Sequence, residues 1–187
     1  VVARDWEVIA NGLDMGHPHH GDMDSQEEAA LIKGVLETLR SISGQAVRGW
    51  LSPIRSESMN TPDLAAAEGI EYLCDWANDD MPYPFETASG TILNMPHTME
   101  LDDQQILITL RHTEQEYVDQ LKDQFDCLYA ESESSGGRIM AINLNPWVTG
   151  QAYRIKALEG ALSYIMSHDG VWSATGAEIL DAYKAQG

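Results

Sequence analysis

Positive charge is scarce in this chain. Its 187 residues hold 11 Lys and Arg against 30 Asp and Glu, a formal charge of -19. Such a surface repels phosphate backbones and anionic lipid heads, so neither nucleic acid nor a membrane is expected as a partner. A small neutral or cationic ligand suits it better. Cysteine is nearly absent too. Cys74 and Cys127 are the only two, and they do not form a CxxC pair. No disulfide framework or cysteine-built metal site is implied, which fits a reducing, cytoplasmic setting. Cys74 lies in the apolar run IEYLCDW and reads as a buried free thiol. No run of 18 apolar residues occurs, so no transmembrane helix is expected. Nor is there an internal repeat, a low-complexity tract or a linker. The chain opens VVARDWEVIA, without a methionine.

What is present describes a folded domain. The chain is 43% hydrophobic, has five tryptophans, and is long enough to bury a core as a single domain over 1–187. DWEVIA (5–10) reads as a strand, followed by a helix over 24–44. In that helix Ser25 with Glu28 suggests a capping box, Ile32, Val35, Leu39 and Ile42 an apolar stripe, and Gly44 the stop. Strands are expected at 47–52, 70–76, 91–95, 139–145 and 171–175. Helices are expected at 61–69, with Thr61 as N-cap, at 102–134, at 152–168 and in the closing GAEILDAYK. Strands alternating with helices predict an α/β fold with a mostly parallel sheet. Ligands of such folds sit at the carboxyl ends of the strands. The polar segments GHPHHGD, SPIRSES, ANDDMPYP and NPWVTG all fall after expected strands.

The stretch ANGLDMGHPHHGDM places His17, His19 and His20 within four residues. A zinc site needs about three protein ligands and an open position. Two imidazoles are available here, although Pro18 constrains the loop. Asn11 is a poor ligand for zinc, because its amide oxygen is neutral and suits harder cations. An ordinary solvated loop is the competing reading. Arg48 reads either as a site residue or as one half of a structural ion pair, with Asp75 or Asp79 as the expected partner. Asp80 either contacts a ligand or shapes a turn. Most of the tryptophans read as core, and Trp147 as the best candidate for a pocket wall.

Five segments, RGWLSP, NTPDLAAAEGIEYLCDWANDDMPY, MPHTMELDD, INLNPW and GVWSATGAEIL, resemble the polysaccharide deacetylase (NodB-homology) superfamily. Within it they are most similar to the allantoinase-like and cyclic-imide-hydrolase-like branch. The similarity runs from about Arg4 to Leu180. It implies an incomplete, distorted (β/α) barrel whose members hydrolyse non-peptide C–N bonds of acetamido sugars, ureides or imides, usually with one divalent metal. It carries Arg48, Asp79 and Asn145 over as catalytic positions. Trp50, Asp80, Glu100 and Trp147 follow as substrate-binding positions, and Asn11, His17, His19 and His20 as the metal-facing set. Two departures stand out. Asn11 occupies the place of a histidine in the family's A-H-G pattern, and Asn145 that of the histidine in L-H-P. The family's T-F-D-D strand, with its base and a metal ligand, finds no match among these residues. A hydrolase acting on a small amide, imide or acetamido sugar is therefore expected. Its zinc would be doubtful in this chain alone, and a second chain or self-association would cover the open sheet edge. A catalytically silent binding or structural subunit is the alternative. Asn11, His17, His19, His20, Arg48, Asp79 and Asn145 are expected to converge at one end of the sheet.

Overall fold

The structure, a computed structural model, describes residues 2–186. They form two compact units, one of residues up to Met95 together with those from Ala174 onward, the other Pro96–Ser173. The first unit holds a mixed four-stranded sheet. Its strands are β1 (Gly49–Trp50), β2 (Tyr72–Leu73), β3 (Tyr83–Thr87) and β4 (Gly90–Asn94), in spatial order β1-β2-β4-β3. β1, β2 and β4 are mutually parallel, and β3 is antiparallel to β4. The sheet is open among the described residues. The expected strand at 5–10 shrinks to one parallel bridge, Ala10 to Trp50.

The hairpin β3–β4 was not legible as one. Its turn is only Ala88 and Ser89, and Pro84 and Glu86 disguise the strand before it. Proline is tolerated there because β3 lies at the sheet edge.

α1 (Ser25–Ser43) and α2 (Thr61–Ala67) supply the helices over this sheet. Asp24, not Ser25, caps α1, accepting hydrogen bonds from the Gln26 and Glu27 amides. Ile32 and Leu36 bury completely, whereas Ile42 stands in solvent. Gly44 ends α1 in the left-handed conformation, its N–H bonded to the Arg40 carbonyl. Asn60 takes the cap position of α2, which frees Thr61 for a different bond described below. The core joins Ile32, Leu36, Val47, Trp50, Ile70 and Leu73 with Ala10.

Tyr72 organises the amino ends of the strands. Its ring lies where a Cβ on Gly49 or Gly176 would overlap it, so both glycines are dictated by contact. The Tyr72 hydroxyl donates to Glu7 Oε1 at 2.7 Å, and Glu7 Oε2 accepts the Ala177 amide at the start of α5 (Gly176–Gln186).

The second unit contains α3 (Glu114–Ser135) and α4 (Ile155–Met166), built on a core of Leu101, Ile106, Leu107, Tyr117, Val118 and Leu121. The single helix expected at 102–134 is interrupted. A π-turn at Gln105–Thr109 precedes Arg111, whose φ is 58°, and Thr113 then caps α3 in a capping box with Glu116. Residues 139–145 and 171–175 do not join a ladder. In the first of these, Met140 and Ile142 pack on the unit's core, and the Asn143 carbonyl accepts from the Asp103 amide. Burial is thus met without strand pairing, which an apolar run cannot reveal by itself. Among the described residues no helix is long and apolar enough to cross a membrane.

Candidate active site

The polar groups of the first unit gather where β1, β2 and β4 end. The loop after β1 enters it under strain. Ile54 and Arg55 are consecutive non-glycine residues with φ of 48° and 55°. Such residues cost about 1–2 kcal/mol each and persist where surrounding contacts fix them. The fixing contacts are present. The Ser52 amide and hydroxyl both donate to Asp75, at 2.7 and 2.9 Å. Arg55 donates to the Cys74 carbonyl, and Ser56 to the His19 carbonyl. Gly12, at φ 60°, packs so closely on Pro53 that any Cβ would overlap the proline ring. That contact sets the histidine loop against the β1 loop.

His19 is buried, its Nδ1 2.9 Å from Glu28 Oε1 and its ring edge-on to Trp50. Glu28 is fully buried and also accepts from the Ser58 and Thr61 hydroxyls. A buried carboxylate with three donors fixes the imidazole, with its Nε2 near Gly12.

Two carboxyls sit beside this support. Burial raises Asp75 from its ordinary range, opposed by its two bonds from Ser52 and by nearby Arg55 and His19. Glu57 is pushed up to about 7, chiefly by burial and then by the Asp75 charge, although the Trp76 side chain hydrogen-bonds to it. Its Oε2 is buried without a hydrogen-bond partner. Burial raises both carboxyls, but only Asp75 has an amide and a hydroxyl bonded to it that favour its charged form, so the environments of the two differ.

The anticipated residues are distributed differently. Arg48 was expected against Asp75 or Asp79. It lies instead at the opposite, amino ends of the strands, bonded to Glu71 at 2.6 Å and to Asp181 at 2.6 Å. Those two carboxylates hold its guanidinium firmly charged. Trp50 is fully buried core, its indole donating to Ser52. Asp79 is exposed and spends its carboxylate on the Asp80 and Met81 amides, a turn-forming role. Asp80 is half-buried, and Asn11 and Glu100 are exposed. His17 is exposed and bonded to Asp14, and His20 is exposed and accepts the Asp22 amide. The three histidines therefore do not gather, and no group of three His, Cys, Asp or Glu among the described residues could hold a metal ion. The residues present do not fit the zinc site that the histidine run suggested.

Asn145 belongs to the second unit and bonds within it. Its backbone N–H and its side-chain amide both donate to buried Asp103, which also accepts from Thr149. Tyr117 is buried nearby with an unpartnered hydroxyl, held protonated by burial and by Asp103. Trp147 is exposed.

Glu57, Glu28, Ser52 and Asp103 escaped the sequence reading. Glu28 looked like a capping residue, and its two hydroxyl donors lie about thirty residues away. A charged residue inside SPIRSES, framed by serines after a strand, was the available signal for Glu57. A cavity of about 340 Å³ between α2 and β4 is lined by Glu71, Ser89, Thr91 and Lys184, but its Lys184–Glu71 pair is already engaged.

Comparison with known proteins agrees with this architecture. No family model matches the chain. A Schizosaccharomyces pombe protein with the provisional name polysaccharide deacetylase is 30% identical over 164 residues, covering 78% of this chain and 50% of that protein. The chain thus spans about half the length of the curated relative it matches. A provisionally named polysaccharide deacetylase from Pseudomonas aeruginosa PAO1 superposes with a TM-score of 0.87 at 28% identity, over 99% of this chain and 61% of that one. Puue allantoinase superposes with a TM-score of 0.87 at 26% identity, over 98% and 61%. With the sequence match and both superpositions pointing the same way, this chain belongs to the polysaccharide deacetylase (NodB-homology) superfamily.

Proposed function

We propose that the chain carries the acid–base half of a hydrolase acting on non-peptide C–N bonds, on a fold of the incomplete (β/α) barrel type. The substrate is a cyclic imide or ureide, or an acetamido sugar. The observation that carries this reading is the pair Glu57 and Asp75 at the carboxyl ends of β1 and β2. Amide hydrolysis needs a base for water and an acid for the leaving nitrogen. Asp75, held by Ser52, takes the proton of the attacking water. Glu57, protonated to a substantial fraction near neutral pH, gives its Oε2 proton to the departing nitrogen. His19, fixed by Glu28, orients the attacked group. Residues beyond these 187, from the same polypeptide, a second chain or a second copy, complete the site. Turnover of a panel of hydantoins, cyclic imides and acetamido sugars tests the reading, with Asp75→Asn as the control that should abolish it.

A second reading, a binding subunit without catalysis, draws on Asn145. Its amide is tied to Asp103 and cannot shuttle a proton as an imidazole would. Binding of the same panel without turnover would favour it.

A further inference from the structure

Asn94 is the last residue of β4 and is fully buried. Its neighbour across the ladder is Leu73, so it sits at the strand ends beside the segment Cys74–Trp76. The side chain is asymmetric in its bonding. Nδ2 donates to the Trp76 carbonyl at 2.6 Å, whereas Oδ1 has no hydrogen-bond partner. A buried amide oxygen left unpaired costs about 1–3 kcal/mol, and such groups ordinarily find a donor. The indole of that same residue, as distinct from its backbone carbonyl, hydrogen-bonds to Glu57, whose Oε2 is the site's other unpartnered buried oxygen. Trp76 therefore holds the amide and the carboxyl from its two ends. The structure holds them against one residue although 37 positions separate them in sequence.

We propose that Asn94 Oδ1 accepts a hydrogen bond from a ligand N–H, so that the site selects ureide, imide or amide groups with an unsubstituted nitrogen. This deepens the proposed function and rests on it for the location of the scissile bond. Asn94 acts as a specificity residue, reading the N–H, and Glu57 protonates the nitrogen as it leaves. Substituting that nitrogen removes the donor and leaves Oδ1 buried and unpaired. A site built to bond a substrate N–H rejects analogues that lack it far more strongly than an apolar pocket rejects a size change.

Calorimetric titration of the chain with hydantoin, its two mono-N-methyl derivatives and 1,3-dimethylhydantoin tests this without requiring turnover. At least tenfold weaker binding of the dimethyl compound than of hydantoin is expected. One of the two monomethyl isomers should account for most of the loss. In Asn94→Leu, which matches the side chain in size, the preference should disappear. Should that variant fail to fold, the Asn94 side-chain amide resonances of the unaltered chain serve instead, moving with hydantoin and not with the dimethyl compound. Equal binding of all four ligands, no hydantoin binding at millimolar concentration, or a preference that survives in folded Asn94→Leu would overturn the proposal. Donor-dependent binding with no hydrolysis would remove the catalytic reading and leave this one standing. Hydrolysis indifferent to N-methylation would do the reverse.

Discussion

At Glu57 the position of one proton sets a pH window. The carboxyl moves from its ordinary 4.5 to about 7 on folding. Folding therefore favours its protonated form. The stability tied to that proton is greatest below about 4.5 and is lost as pH rises through about 7. Glu57→Gln removes the dependence. Between pH 5 and 8 the parent chain should lose about 1–2 kcal/mol relative to this variant, after allowance for partial exposure. Urea unfolding at both pH values measures it, and parallel pH dependences would contradict the assignment. Any hydrolysis should likewise fall above about pH 7 as the donor ionises. Glu28 tests the support. Glu28→Ala strands His19, Ser58 and Thr61 in the interior and should destabilise by about 3–5 kcal/mol. Sequence alone could not assign this cluster. The histidine run drew attention to three adjacent imidazoles, but adjacent residues in a loop point apart. Only His19 turns inward, towards a carboxylate on α1 and hydroxyls around the start of α2.

Among the elements, helices with a cap signal and a clear apolar stripe were legible, and short strands less so. α1 ends at Gly44, and α3 begins with the Thr113–Glu116 box rather than at 102, where the apolar pattern also runs through a π-turn. Thr113→Ala should cost about 1 kcal/mol in thermal unfolding. The sheet is harder to read because β1 and β2 are two residues each, too short for any periodicity. Close packing marks them better than pattern does. Gly49→Ala must displace the buried Tyr72 ring, and with it the bond to Glu7 that reaches α5, at a cost of about 1–3 kcal/mol. A variant as stable as the parent would show that the ring does not fill that space.

For the whole molecule, superfamily membership was readable from dispersed motifs, whereas the site it positions was only partly so. Family analogy drew Arg48 and Asp79 into the site. Here Arg48 serves an ion-pair cluster at the other end of the strands, and Asp79 a turn. The carboxyls that do meet are Glu57 and Asp75, eighteen positions apart and joined by β1–β2 pairing. Completion of the site by a second chain or a second copy, as against residues of the same polypeptide, predicts association. Sedimentation at low concentration should give a mass above the 20.7 kDa of one chain, and an active monomer would contradict it.

The central claim is that Asp75 and Glu57 hydrolyse a C–N bond. Its most direct test is ring opening of hydantoin, followed by the carboxylate released, for the parent chain and Asp75→Asn side by side. The account predicts measurable turnover that falls by about a hundredfold or more in the variant. Turnover equal in both proteins would contradict it.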